Sequence, residues 1–246
     1  MPGEPQPQVR SLVNSASSAV GNLAPGELVT VYGTDLGPAT PIGLALDSSG
    51  KVATSSGGVE VLVNGTPAPL LYVSSTQIDC VVPYEVASAA TAIVEVLYPI
   101  PSNGYLAPVA TVAPGIFTLS GSGNGPGAIL NSTGGVNGPG NPAAGSTITI
   151  FLTGGGQTNP SGVTGAVTAV NSSSIGPLTP QPLSPPTVTI GGVTAQVSFY
   201  GEAPGPVFGV TQINAIVPSG LSSGSLPLVV SSGAVNTQSG VTVSGR

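Results

Sequence analysis

The chain has 246 residues and a mass of 23.7 kDa, room for one large domain or two ordinary ones. Only 5% of residues are charged and three are basic, against roughly a quarter charged in an average soluble protein, so nothing is available to neutralise phosphates and nucleic acid is excluded as a partner. The 37 Gly and 26 Pro exclude long helices, and no apolar run approaches the ~18 residues of a membrane span.

Hydrophobic residues make up 40% of the chain, enough to bury a core. The start, Met1 to Arg10, is polar and Pro-rich and has no apolar h-region, so it is not a signal peptide. Either the chain is cytoplasmic or a secretion signal lies outside this numbering; a surface of Ser, Thr, Gly, Asn and Gln with almost no Lys reads as extracellular material and favours the second.

Residues Val9-Arg10-Ser11-Leu12-Val13 form the first candidate strand. Pro2, Pro5 and Pro7 keep the preceding residues extended, and Ser15–Gly21 is small and flexible. Two readings follow. Residues 1–22 are an arm that adds a strand to a neighbouring copy, with Val9, Ser11, Leu12 and Val13 as assembly residues. Alternatively, Leu12-Val13 is the first strand of its own domain.

Short β-branched runs follow: Leu28–Tyr32, Val59–Val63, Gln77–Val82, Ile93–Leu97, Thr187–Ile190, Ala195–Phe199 and Gln212–Val217. Asp35-Leu36-Gly37-Pro38, Asn64-Gly65, Asn103-Gly104 and Gly191-Gly192 supply the turn chemistry between them. The chain also repeats once. Thr76-Gln77-Ile78-Asp79-Cys80-Val81-Val82-Pro83 returns as Thr211-Gln212-Ile213-Asn214-Ala215-Ile216-Val217-Pro218, and Leu28-Val29-Thr30-Val31-Tyr32 as Thr147-Ile148-Thr149-Ile150-Phe151. Leu12-Val13-Asn14-Ser15 likewise matches Ile129-Leu130-Asn131-Ser132. The offset drifts from 117 to 135 residues across an insertion around Thr158–Pro186.

The expected fold is therefore all-β: two tandem immunoglobulin-like antiparallel β-sandwich domains with an extended N-terminal segment. The expected division is 1–22 for the arm or first strand, 23–120 for the first domain and 121–246 for the second, with a linker at about 121–128. A barrel is the structural alternative.

The inventory of reactive groups is nearly empty. Without His, a Ser/His/Asp or Cys/His triad cannot form. Cys80, alone in an apolar run, reads as a buried inert thiol. Ser48-Ser49-Gly50-Lys51 fits a Ser-x-x-Lys pattern but lies in a polar turn without partner motifs. Glu60 and Glu95, mid-strand, read as outward-facing residues rather than a glycosidase pair. Asp35, Asp47 and Asp79 form no Asp-x-Asp loop and read as turn formers rather than Ca²⁺ ligands. From Thr118 onward only Glu202 and Arg246 are charged. The sequence thus predicts no catalytic residues, no cofactor and no metal. The ten aromatics read as core packing ahead of a carbohydrate platform. Asn64, Asn131 and Asn171 stand in Asn-x-Ser/Thr sequons that permit glycosylation.

Several stretches carry a resemblance: Ala24-Pro25-Gly26-Glu27-Leu28 through Gly37-Pro38, Ala113-Pro114-Gly115-Ile116-Phe117, Thr153-Gly154-Gly155-Gly156-Gln157 and Gly209-Val210-Thr211-Gln212-Ile213-Asn214. Together they resemble the uncharacterised "Solibacter C-terminal" family of bacterial secreted proteins over nearly the whole chain. Each half more loosely resembles the IPT/TIG immunoglobulin-like module. The resemblance implies an extracellular β-rich module with no assigned catalytic residues. The expected function is a structural protein whose partner is itself, assembling into a filament or surface fibre. The alternative is a secreted binding module for carbohydrate or a surface partner.

Overall fold

The computed structural model describes residues 5–143, 145–168 and 179–246. The first half supplies β1 (Gln8–Asn14), β2 (Leu28–Thr34), β3 (Ile42–Gly43), β4 (Ser55–Ser56), β5 (Val59–Val63), β6 (Thr66–Pro67), β7 (Leu70–Val73), β8 (Gln77–Val81), β9 (Thr91–Leu97) and β10 (Tyr105–Pro108). They form two antiparallel sheets, ordered β1-β2-β8-β7-β3 and β10-β9-β5-β4, with β6 beside β5. Alternation sets the faces. On β5, Val59, Val61 and Val63 point into the core while Glu60 and Leu62 point outward. Val31, Ile78, Val61, Val94 and Val96 meet between the sheets and are fully or almost fully buried.

The second half supplies β11 (Gly115–Ile116), β12 (Gly125–Pro126), β13 (Ile129–Asn131), β14 (Thr147–Thr153), β15 (Thr158–Asn159), β16 (Gln181–Pro182), β17 (Pro186–Ile190), β18 (Val193–Glu202), β19 (Thr211–Ile216), β20 (Gly224–Ser232), β21 (Val235–Asn236) and β22 (Val241–Gly245). Its own core gathers Ile129, Ile148, Ile150, Ile190, Ile213 and Leu228.

Both halves are immunoglobulin-like sandwiches, and the repeated segments are equivalent strands. β2 pairs with β8 as β14 pairs with β19. The halves differ in how their layers connect. The long β18 pairs through Val193–Ala195 with β17 and through Gln196–Glu202 with β19, so one strand passes from one layer to the other. A bulge between Val197 and Phe199 accommodates the change. Among the described residues each half nevertheless keeps its sheets to itself, and no barrel is shared.

Two local features follow the turn chemistry. Asn64 and Gly65 both have positive φ (49° and 76°), as a tight hairpin between β5 and β6 needs. The only helical element among the described residues is a 3-10 turn at Tyr84–Ser88, after Pro83. The change of sheet comes early: Gly115–Ile116 already pairs with β14, and Ile116 sits in the second core.

Candidate functional site

The two sandwiches meet along a seam that is apolar in the middle and hydrogen-bonded around it. Leu28, Val52 and Val81 of the first half pack with Ala203, Val207 and Val210 of the second, and Leu71, Phe117 and Phe151 close over them. The Leu28 N–H donates to Thr153 Oγ1 at 2.8 Å, and that hydroxyl donates to the Gly209 carbonyl at 2.8 Å. Two segments absent from the first half reach across. One is the early part of the insertion, 157–168; the other is the loop Glu202–Val210, which stands where the first half has only Ser74–Thr76 between its strands. The two segments are tied together by Phe208 N–H to the Ala166 carbonyl and Thr168 N–H to the Pro206 carbonyl.

Tyr84 is the residue they grip. Its N–H donates to Thr164 Oγ1 at 3.0 Å, and its carbonyl accepts from Gln157 Nε2 at 2.8 Å. Its hydroxyl donates to Glu202 Oε1 at 3.1 Å. Its ring lies so close to Gly26 and Gly162 that a methyl group on either would collide with it. Thr164 Oγ1 also donates to Glu85 Oε2 at 2.7 Å, and Val52 N–H donates to the Gly165 carbonyl at 2.8 Å. Gly209, at φ 110°, approaches the Gly26 carbonyl so closely that no side chain fits between them.

Two carboxyl groups are buried near this seam, each 1% exposed. Glu202 accepts from Tyr84 and, through Oε2, from the Gly209 N–H at 2.9 Å. Burial outweighs these bonds and raises its pKa from 4.5 to about 7. The same proximity and burial push the Tyr84 phenol up. Glu27 lies on the first-half side, next to Leu28. Its oxygens accept from Asn14 Nδ2 at 2.8 Å and the Ala24 N–H at 2.7 Å. Burial raises its pKa from 4.5 to about 8. Asn14 in turn donates to the Ala113 carbonyl and accepts from the Ala16 and Ser17 N–H groups, which fixes the chain after β1.

The residues named from sequence fall elsewhere. Val9, Ser11, Leu12 and Val13 lie in β1, paired antiparallel with β2 of the same chain. Val9 and Leu12 are buried in the first core, and Asn103 clamps Val9 by accepting from its N–H and donating to its carbonyl. In the single chain, the segment is therefore the first strand of its own sheet. Asn64 is exposed at its hairpin tip, with its amide bonded to Thr91 and Ile93. Asn131 is 7% exposed, and its amide is held by Asn137 and Asn141. Asn171 lies outside the described residues.

Asp47 heads a turn, accepting from Ser49 and Lys51, and the Ser49 bonds foremost hold its carboxyl below the usual range. Asp35 takes a positive φ of 56°, also a turn geometry, whereas Asp79, expected in a turn, lies mid-strand in β8 because it alternates with the buried Ile78 and Cys80. Glu60 and Glu95 face outward from neighbouring strands, opposite Leu97 and Leu62. Cys80 is buried in the first core, where burial pushes its thiol up to about 12. Among the described residues no group of His, Cys, Asp or Glu is placed to hold a metal ion.

Sequence reasoning missed the seam. The signals were single-residue breaks in the repeat: Val82-Pro83-Tyr84 against Val217-Pro218-Ser219, and Glu202 as the lone acid in an otherwise acid-free second half.

A strip of side chains on the outer face of the β1-β2-β8-β7 sheet is repeated in the second sandwich. In the first, Val13, Thr30, Asp79 and Tyr72 stand in register across four strands, with Tyr32 and Gln77 in the next row. In the second, Leu130, Thr149, Asn214 and Phe199 form the equivalent row, followed by Phe151 and Gln212. Gln77 Nε2 donates to Asp79 at 3.0 Å, as Gln212 Nε2 donates to Asn214 Oδ1 at 2.9 Å.

Residues 11–106 match the IPT/TIG domain model, which spans β1 to β10 and so covers the first sandwich. No curated protein matches the chain. Among solved structures, the chain is similar to the titin Ig tandem domains A164-A165, with 11% identity over 98% of this chain and 97% of that one, at a TM-score of 0.20. IPT/TIG and immunoglobulin-like domains are commonly extracellular, adhesion or binding modules and are typically non-enzymatic. No helix among the described residues is long and apolar enough to cross a membrane.

Proposed function

We propose that this chain is a non-catalytic extracellular structural module that associates with copies of itself into a filament or surface fibre, with exchange of β1 as the joint. The observation that carries the reading is the construction of β1. It is an edge strand, joined to β2 by the connector from Ser15 to Gly26, and its buried Val9, Leu12 and Asn14 together with the Asn103 clamp hold it. A neighbour's β1 offers the same strand groups in the same register, so exchange costs only the turn contacts that follow β1, those of Asn14 with Ala16, Ser17 and Ala19, and head-to-tail exchange need not close. A surface with 5% charge opposes such contacts little. The resemblance to secreted β-rich proteins supports the extracellular setting.

The test is a lock on β1. Val13 and Thr30 face each other across β1 and β2, so a Val13→Cys, Thr30→Cys pair fixes β1 in its own sheet when oxidised. Polymerisation at high concentration is expected in the reduced protein and lost in the oxidised one, read by sedimentation and negative-stain microscopy. Equal polymerisation in both states removes β1 from the joint, and none in either, or in the wild type, removes the structural reading.

A second reading is favoured by the outer-face strip. Tyr32 is 42% exposed beside Gln77, with Tyr72 and Asp79 in the adjoining row. Aromatic faces flanked by amide and carboxylate groups suit carbohydrate. Retention of monomer on polysaccharide columns, lost in Tyr32→Ala, is the result that favours this reading over the first.

A further inference from the structure

We propose that the seam between the two sandwiches is a pH-operated joint, closed when Glu202 is protonated and loosened when it ionises. The geometry supplies the switch. Glu202 stands at the end of β18, where the second-half loop begins its crossing, and it is bonded both to the first half through Tyr84 and to the loop itself through Gly209. Closure buries the carboxyl completely, whereas opening returns it to water.

The surroundings determine the direction. On the elements packed against Glu202, the ionisable groups are Tyr84 and Glu85 on the 3-10 turn, Glu27 beside Gly26, and Tyr200 on its own strand. None of these is a cation. Of the three basic residues, Lys51 lies beyond the loop at Gly165, and neither Arg10 nor Arg246 bonds to the carboxyl. Two neutral donors do not compensate a buried negative charge, so the charged form favours the open seam. An exposed carboxyl titrates near 4.5 and the buried one near 7, and the open state gains over the closed one across that interval. The opening equilibrium therefore rises by up to about a hundredfold between pH 4.5 and 8 and is level outside that range. Glu27, whose bonds run within the first half, is not the trigger in this scheme.

The test is native-state amide exchange on the full chain between pH 5 and 8.5, with rates expressed as protection factors. The Leu28, Tyr84 and Gly209 amides report the seam, because their acceptors lie across it or on the crossing loop. Val61 and Ile213 report the two cores. Seam protection is expected to fall by tens to about a hundredfold over this range while core protection holds. In Glu202→Gln the fall should vanish. In Tyr84→Phe, which removes one donor to the carboxylate, its midpoint should move to higher pH. Glu27→Gln should leave the seam profile as it is.

Flat seam protection in the wild type overturns the proposal. So does a wild-type profile in Glu202→Gln, or a loss of the response in Glu27→Gln alone. Should Glu202→Gln fail to protect its cores, the Tyr84→Phe midpoint decides, and an unmoved midpoint counts against the switch.

Discussion

Tyr32 and Phe151 occupy the same position in the repeat, two residues after a matched Thr on equivalent strands, and both face outward. Tyr32 is left 42% exposed, whereas Phe151 is partly buried against the seam cluster that both halves build. The same contrast runs through the pair of sandwiches. Tyr84 is gripped at its amide, carbonyl, ring and hydroxyl, while its counterpart Ser219 makes none of these contacts. Ser74–Thr76 is a tight connection, while the corresponding Glu202–Val210 is a loop that crosses the seam. Duplication supplied two copies of one core, and the seam was made by changing different residues in each. The interface is consequently head-to-tail: each half contributes a surface that the other lacks.

The largest effect expected is in the shared part. Ile78 and Ile213 are equivalent, fully buried, and each sits at the centre of its own core. Truncating either to Ala should cost about 2–5 kcal/mol, measured by urea unfolding. If the seam couples the halves, both variants should unfold in one transition. Two separated transitions, with only the mutated half shifted, would show the sandwiches to be energetically independent.

Next comes the closest approach in the seam. Gly209→Ala sets a methyl group against the Gly26 carbonyl at a φ of 110°, which L residues rarely adopt. A loss of more than about 2 kcal/mol is expected. Gly138→Ala, which meets open space, should change stability by less than about 0.5 kcal/mol in the same assay. Similar losses in the two variants would mean the seam yields easily.

The pH profile should be smaller and has a fixed sign. Glu27 and Glu202 both bind their protons more tightly when folded than when unfolded, because burial raises their pKa from 4.5 to about 8 and about 7. Their contribution is full below pH 4.5 and is lost as pH rises, by about 7 for Glu202 and by about 8 for Glu27. The midpoint urea concentration should therefore fall between pH 5 and pH 8.5. Glu27→Gln should remove the Glu27 share of that fall across the whole range, including nearly all of the part lying above pH 7. A midpoint that rises with pH would contradict both burial arguments.

How much of this could be read in the sequence depends on whether a feature repeats. The strands Leu28–Tyr32, Val59–Val63 and Gln212–Val217 were legible because alternation and turn residues act locally, and for the first and last of them the duplication supplied a matching copy. The seam was not legible, since it depends on Tyr84 and Glu202, which lie 118 positions apart and are linked only by tertiary packing. The insertion near Thr158 was visible as a drift in register, but nothing in its Gly- and Ser-rich composition announced that Gly162, Thr164 and Gly165 grip the first half. β18 was read as a five-residue run because its bulge interrupts the alternation midway.

The smallest prediction returns to the aromatic pair, where one change can be made in two surroundings. Phe151→Ala removes a ring that is half-buried against the seam cluster, and should cost about 1–2 kcal/mol through lost apolar contact. Tyr32→Ala removes a ring that is 42% exposed and outside the three cores, and should cost less than about 0.5 kcal/mol. The two strands share their residue pattern and their neighbours Gln77 and Gln212, so intrinsic strand preference largely cancels in the difference. What remains is the contribution of the opposite half. A gap of about 1 kcal/mol between the variants, read as the difference in urea midpoint at pH 4.5 where Glu202 is protonated and the joint is closed, would therefore measure the seam at one side chain. If the gap closes at pH 8.5 while both cores stay folded, Phe151 loses its cover as Glu202 ionises. If Tyr32→Ala proves as costly as Phe151→Ala at low concentration, the exposed face of the first sandwich has a structural role that its exposure conceals.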